Sequence, residues 1–191
     1  RALADAGVLD IHPHPYSQLA GLIRAGRIRA DVVMVQVSPP NAAGEYSLGL
    51  SAEYLVPALE ICRTVIGEVN DQIPWTYSEK LLRKEDFALL VESSRQPVTL
   101  PYGPPGDLEK AIARNAVPFV PEGATIETGL GALPDAVLGM LGDRKRLAIH
   151  SGSLGDGAVE LMERDIVLQA NCGTLMGTRR LFEHARDNPA V

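Results

Sequence analysis

Two β-branched runs, DVVMVQV from Asp31 to Val37 and TVIGEVN from Thr64 to Asn70, flank a stretch with helical spacing. This order constrains the fold more than any other feature of the chain. A nearly continuous apolar run suits a strand buried on both faces of a parallel sheet, because helices cover such sheets from both sides. Parallel neighbours need a crossover between them. Ala52 to Arg63, with Leu55, Leu59 and Ile61 at helical spacing, supplies one. Strand, helix and strand in this order predict a right-handed βαβ unit. Ahead of it, Tyr16 to Ala25 is predicted as a helix that Gly26 stops in a left-handed cap.

Asp86 to Val91 is a third predicted strand, and Glu92 to Asp107 then holds four of the fourteen prolines without any period, a linker signature. Beyond it the alternation restarts. Helices are predicted at Leu108–Asn115, Pro134–Leu141, Asp156–Arg164 and Thr178–Arg186, and strands at Ala124–Thr128 and Arg146–His150. The predicted fold is α/β, with two halves, residues 1–105 and 106–191, built on largely parallel sheets. Asp165 to Gly173, DIVLQANCG, follows neither period.

Composition removes several function classes. The chain is 191 residues long, 46% hydrophobic and 22% charged, which is the ordinary range of a globular protein. A net charge of −6, with no basic run longer than Arg144-Lys145-Arg146, argues against a nucleic-acid partner. The two cysteines, Cys62 and Cys172, have no companion ligand at zinc spacing and suggest no disulfide framework, so a reducing, cytoplasmic setting is expected. His12-Pro13-His14-Pro15 lacks a third ligand and reads as a surface turn, and no metal is expected. No apolar run approaches the ~20 residues of a membrane helix, and the first residues lack the order of a secretory signal. The chain starts without Met, and the expectation is a piece of a longer protein.

Four stretches carry candidate chemistry. Glu127 to Leu141, ETGLGALPDAVLGML, is a strand end, a Gly-x-Gly turn at Gly129 and Gly131, and a helix predicted to open at Pro134. It is either an anion- or oxyanion-binding turn or simply a tight connection. Ser38 to Gly49, SPPNAAGEYSLG, lies beyond a strand's carboxyl end, where open α/β sheets hold their ligands, and reads equally well as a capping turn. In Gly67 to Asn70, Glu68 is a base or a buried hydrogen-bond acceptor. The last is LAIHSGSLGDGAVELM, Leu147 to Met162: a strand closing on His150, a loop of small residues, then a helix with Asp156 at its N-cap. His150 is either a working group or a satisfied interior histidine. His150, Ser151 or Ser153, and Asp156 are too close in chain to form a serine triad without a strained turn.

Taken together, QVSPPNAAGEYSLG, IGEVNDQIP, GATIETGLGALPDAVL, LAIHSGSLGDGAVELM and GTLMGTRRLFEHARDNPAV resemble, in order and spacing, the acetyl-CoA hydrolase/transferase family, the class I CoA-transferases that include 4-hydroxybutyrate CoA-transferase. The resemblance covers the chain from Asp31 onward. It implies two similar α/β domains with acyl-CoA bound in the cleft between them. Residues 1–105 would be the C-terminal part of the first domain, and 106–191 the N-terminal part of the second. The family carries a longer segment before the GTLMGTRR motif than Asp165 to Gly173 can supply.

What the resemblance implies for the site is acyl-CoA as substrate, a small carboxylate as acceptor, no prosthetic group or metal, and a cytoplasmic homodimer. The implied CoA-contacting residues are Ser38, Pro39, Gly44, Ser47, Asn70, Gly129, Gly131, Ala132, Pro134 and Gly177. The family's nucleophile is a glutamate in a His-(Thr/Ser)-Glu pattern. His150 and Ser151 match that pattern, and Gly152 stands where the glutamate belongs. Three readings follow. The protein turns over CoA esters through water, through the acceptor itself or through another carboxylate such as Glu68; it binds such esters without turnover; or Gly152 is not the natural residue. A fourth reading is a non-catalytic interaction protein.

Overall fold

The computed structural model describes residues 2–9 and 12–191. A short helix, α1 (Ala2–Asp5), precedes a 3-10 turn at Tyr16–Gln18 that leads into α2 (Leu19–Arg24). Gly26 follows α2 with φ of 68°, the left-handed conformation in which a Cβ would clash. Then come β1 (Val32–Val37), β2 (Tyr46–Ser47), α3 (Leu55–Ile61), β3 (Thr64–Asn70), β4 (Leu81–Leu82) and β5 (Leu89–Ser93). β1 and β3 pair in parallel from Val32↔Thr64 to Val37↔Val69, and β5 adds to β3, giving the order β1-β3-β5. β2 and β4 form a small antiparallel pair.

Strands laid down in chain order with crossovers of one hand place their connections on one face of the sheet. Burial along β1 therefore alternates: Val33, Val35 and Val37 are in the core, while Val32 and Met34 are exposed, Met34 by 78%. The sequence predicted burial on both faces. Among the described residues only one is covered, although both are apolar enough for cover. The predicted third strand also starts late. A 3-10 turn occupies Lys84–Asp86, and Phe87 packs edge-on against Tyr46, 5.4 Å between centroids, before β5 begins.

No helix or strand occurs between β5 and α4 (Asp107–Ala116). A second sheet follows, made of β6 (Thr125–Ile126), β7 (Leu147–Leu154) and β8 (Val167–Leu175), parallel in the order β6-β7-β8. Its helices are α5 (Ala132–Gly139), α6 (Gly157–Glu163) and α7 (Arg179–Ala185). Two expectations are corrected here. β7 continues four residues past His150, so the predicted small-residue loop is mostly strand. DIVLQANCG, unreadable by period, forms most of β8. A register irregularity explains the second: Leu147 pairs with Val167 but Ala148 with Gln169, which leaves Leu168 as an extra residue and breaks the alternation.

The two sheets meet along a seam. The Ala52 N–H donates to the Gly173 carbonyl (3.0 Å), the Leu175 N–H donates to the Leu50 carbonyl (2.8 Å), and Ser51 forms an antiparallel bridge with Thr174. Leu50 to Ala52 of the first half thus lies along β8 of the second. The Asp187 N–H donates to the Trp75 carbonyl (2.8 Å), and the Leu100 N–H, in the predicted linker, donates to the Gly177 carbonyl (3.0 Å).

Candidate active site

Side chains alternate along β7, and this sorts the His-Ser-Gly stretch. Ile149 and Ser151 face the core opposite Ala170 and Cys172. The Ser151 hydroxyl donates to the Thr128 carbonyl (2.7 Å) and accepts from the Thr128 N–H (3.4 Å), which ties β7 to the Gly129–Gly131 turn. His150 and Gly152 point the other way and are exposed. A Cβ on Gly152 would meet nothing within 4 Å, whereas a Cβ on the adjacent Gly173 would lie 3.2 Å from the Gly152 carbonyl oxygen.

A cavity of about 540 Å³ opens over this face. His150, Asn171 and Gly173 form one wall, and residues 50–53 and 76–79 of the first half form the other. Two carboxylates line that opposite wall, Glu53 and Glu79, and Glu53 is the one that reaches across to β8. Its backbone has φ of 32°, in the left-handed region that non-glycine residues rarely occupy. Its side chain crosses the seam: a Cβ on Gly173 would come within 2.7 Å of Glu53 Cγ and 3.0 Å of Oε1. The Tyr16 hydroxyl donates to Glu53 Oε2. The Tyr16 pKa is raised, first by desolvation and then by the Glu53 carboxylate, although Tyr16 as a whole is 54% exposed; the desolvation acts at the hydroxyl end. Burial pushes the Cys172 thiol up to about 11, with the charge of Glu53 adding to the effect, so it is protonated at neutral pH.

The predicted residues divide into groups. Ser38 donates to the Pro39 carbonyl (2.9 Å) and accepts from the Ser47 N–H (3.1 Å); Ser47 donates to the Thr76 carbonyl (2.8 Å). The Asn70 amide donates to the Arg95 carbonyl (2.7 Å) and accepts from the Gln72 N–H (3.1 Å). All three side chains are buried and committed, Ser38 and Ser47 to the loop that leads into residues 48–53 and Asn70 to the segments at Gln72 and Arg95. Gly44, with φ of 78°, closes a turn headed by Asn41, which accepts from the Ala43 and Glu45 N–H groups. Gly129, Gly131, Ala132 and Pro134 lie beside the Ser151 tie rather than in the cavity wall; α5 opens at Ala132, two residues before the predicted start, after Gly131 with φ of 113°. Asp156 was predicted as an N-cap, but its carboxylate makes no cap bond on α6. It accepts instead from the Thr178 N–H and hydroxyl, both at 2.8 Å, and so fixes the start of α7 beside Gly177.

Glu68 is a correction. It lies in a different groove on the first sheet, with Met34 and Gln36. Ser93 donates to it at 2.6 Å and Arg95 Nη2 at 2.7 Å, and these bonds, Ser93 first, hold its carboxyl below the usual carboxylate range. Its Oε1 is committed there, and it does not line the cavity beside His150. Among the described residues no three His, Cys, Asp or Glu side chains are grouped as metal ligands, and no helix is long and apolar enough to cross a membrane.

Two parallel α/β sheets meet at an open cavity on their seam, with a histidine on one wall and two carboxylates on the other. The chain is similar over its whole length to class I CoA-transferases and spans about half the length of the curated relatives it matches. The 4-hydroxybutyrate coenzyme A transferase of Clostridium kluyveri is 34% identical over 200 residues, which take in 100% of this chain and 47% of that protein. The succinyl-CoA:acetate/propanoyl-CoA:succinate CoA transferase of Fasciola hepatica is 28% identical over 201 residues, 100% of this chain and 42% of that protein. Among solved structures, 4-hydroxybutyrate CoA-transferase from Porphyromonas gingivalis superposes with a TM-score of 0.88 at 29% identity, covering 98% of this chain and 51% of that one. RipA from Yersinia pestis superposes with a TM-score of 0.93 at 28% identity, covering 100% and 47%. No family model matches the chain.

Proposed function

We propose that the protein handles short-chain acyl-CoA thioesters in the cavity beside His150 and Gly152, passing CoA to a small carboxylate or releasing the acyl group to water. The observation that carries this reading is the alignment of the whole chain, at 34% identity, with a 4-hydroxybutyrate coenzyme A transferase. Residues 1–105 correspond in this reading to the end of a first CoA-transferase domain and 106–191 to the beginning of a second. The protein works in this reading as a cytoplasmic homodimer on acyl-CoA and carboxylate, without a prosthetic group.

Gly152 favours a second reading, binding of CoA esters without turnover, because it removes the nucleophile of the related pattern. One assay separates the two. The full chain is incubated with a panel of short acyl-CoAs, with and without acetate, and free thiol and newly formed acetyl-CoA are measured. Thiol release or acyl exchange supports the enzyme. Micromolar binding with neither supports the second reading, and absence of binding removes both.

A further inference from the structure

We infer that Glu53 is the catalytic carboxylate of this cavity, acting as general base for a water that attacks the thioester in place of a glutamate at position 152. This deepens the acyl-CoA reading above and rests on it. Gly152 contributes no side chain, and the space beside its Cα is open. Glu53 arrives on the same face from the other half of the molecule, over the neighbouring strand at Gly173. Gly173 makes room for it, since a Cβ there would come 2.7 Å from Glu53 Cγ. The bond from the Ala52 N–H to the Gly173 carbonyl (3.0 Å) pins the residue before it. Glu53 holds φ of 32°, a conformation that L-residues avoid and that persists only where its surroundings enforce it. The Tyr16 hydroxyl occupies Oε2, leaving Oε1 on the Gly173 side.

Two nucleophilic groups on the adjoining strands are out of play. The Ser151 hydroxyl donates to the Thr128 carbonyl, and the Cys172 thiol, raised to about 11, is protonated. Adjacent strands are ~4.8 Å apart, so a carboxylate over Gly173 on β8 sits about one strand spacing from a carboxylate borne by residue 152 on β7. That is too far for direct attack on a thioester held for position 152, since a displacement of about 1 Å already costs ~10²-fold in rate. It is the distance at which a base acts through one water.

The step balances without a further reactant. Glu53 takes a proton from water as the water oxygen bonds to the thioester carbonyl carbon. The tetrahedral oxyanion collapses, the C–S bond breaks, and the CoA thiolate receives the proton from Glu53. The products are the carboxylic acid and free CoA thiol, and Glu53 is returned unchanged.

The test compares the unsubstituted protein with Glu53→Gln, an isosteric change that keeps an acceptor for Tyr16. Free-thiol release is measured with the acyl-CoA that the panel shows to turn over best, and binding of the same ester is measured by calorimetry. The expected result is a loss of turnover of about 10²–10⁴-fold with affinity changed less than about threefold, and partial recovery in Glu53→Asp. Unchanged turnover in Glu53→Gln overturns the role of Glu53 and leaves the acyl-CoA reading standing. Binding with no turnover in the unsubstituted protein overturns both the catalytic reading and the role of Glu53. Lost binding in Glu53→Gln makes Glu53 a ligand contact and overturns the general-base assignment.

Discussion

Replacing Gly173 with Ala tests the placement of Glu53 without touching its carboxylate. The new Cβ would sit 2.7 Å from Glu53 Cγ and 3.0 Å from Oε1, while carbon–carbon contacts are comfortable at about 3.5–4.0 Å. The side chain must therefore retreat by about 1 Å, and the Gly152 carbonyl oxygen, 3.2 Å from the same point, limits the strand's freedom to yield. A displacement of that size predicts a loss of acyl-CoA hydrolysis of about 10²-fold. The accompanying cost in stability is about 1 kcal/mol, the low end for overpacking, because Glu53 is only half-buried and moves toward an open cavity. Thiol release gives the first number and thermal melting the second. Gly139→Ala is the control: it lies in α5 with nothing within 4 Å of its new methyl and should stabilise by about 0.5–1 kcal/mol with turnover unchanged. A Gly173→Ala protein with the turnover of the unsubstituted one would refute the idea that Glu53 acts from its observed position.

Gly49→Ala should be among the most destabilising single-methyl additions in the loop behind the cavity. Its φ is 65° and the Cβ would lie 2.2 Å from Ile73 Cγ2, so about 3 kcal/mol is expected from the left-handed backbone and the overlap together, read as a fall in melting temperature of roughly 10 °C. Glu68 has a lowered pKa, caused first by Ser93 and then by Arg95. The stability it supplies is therefore complete above its unfolded pKa of about 4.3 and is lost as pH falls through the lower folded value. The difference in melting temperature between the unsubstituted protein and Glu68→Gln should be full at pH 7 and shrink progressively as pH falls below the unfolded value; a difference that does not change with pH would contradict the assignment. Cys172, with its thiol raised to about 11, should be about one part in a thousand thiolate at pH 8. Alkylation there should quicken steadily as pH rises to 10, and a plateau below pH 9 would be inconsistent with the raised value.

The parallel strands were legible where the chemistry of burial is local. The valine-rich run of β1 and the TVIGEVN run of β3 announce themselves, and the crossover between them follows from their being parallel. The sequence ends β7 at His150 because Ser151, Gly152 and Ser153 are the residues of loops, yet pairing with β8 on one side and the Ser151–Thr128 bonds on the other hold them extended. β8 was hidden by one extra residue that breaks its alternation. Bare exposure of one face of the first sheet was hidden as well, since a run apolar on both sides says nothing of how many sides are covered. Glu53 could not be found from pattern at all. It sits in an ordinary Ser-Ala-Glu-Tyr stretch before α3, its left-handed backbone leaves no mark in sequence, and its contact with Gly173 joins residues far apart in the chain. Glu68 was singled out for standing at a strand end, and the sequence did not reveal that Ser93 and Arg95 already claim it.

The central claim is that this cavity meets a CoA thioester with water and Glu53, without a covalent intermediate. The most direct measurement is a single turnover with enzyme in excess over acyl-CoA in ¹⁸O-labelled water, quenched and analysed by mass spectrometry of both the released acid and the peptides containing Glu53 and residue 152, with Gly152→Glu run in parallel. The account predicts one ¹⁸O atom in the acid, no label and no acyl or CoA adduct on any peptide of the unsubstituted protein, and a trapped adduct on residue 152 in the variant, whose added side chain enters open space. An adduct or ¹⁸O in the Glu53 carboxylate of the unsubstituted protein would contradict it, because that residue would then be the nucleophile itself.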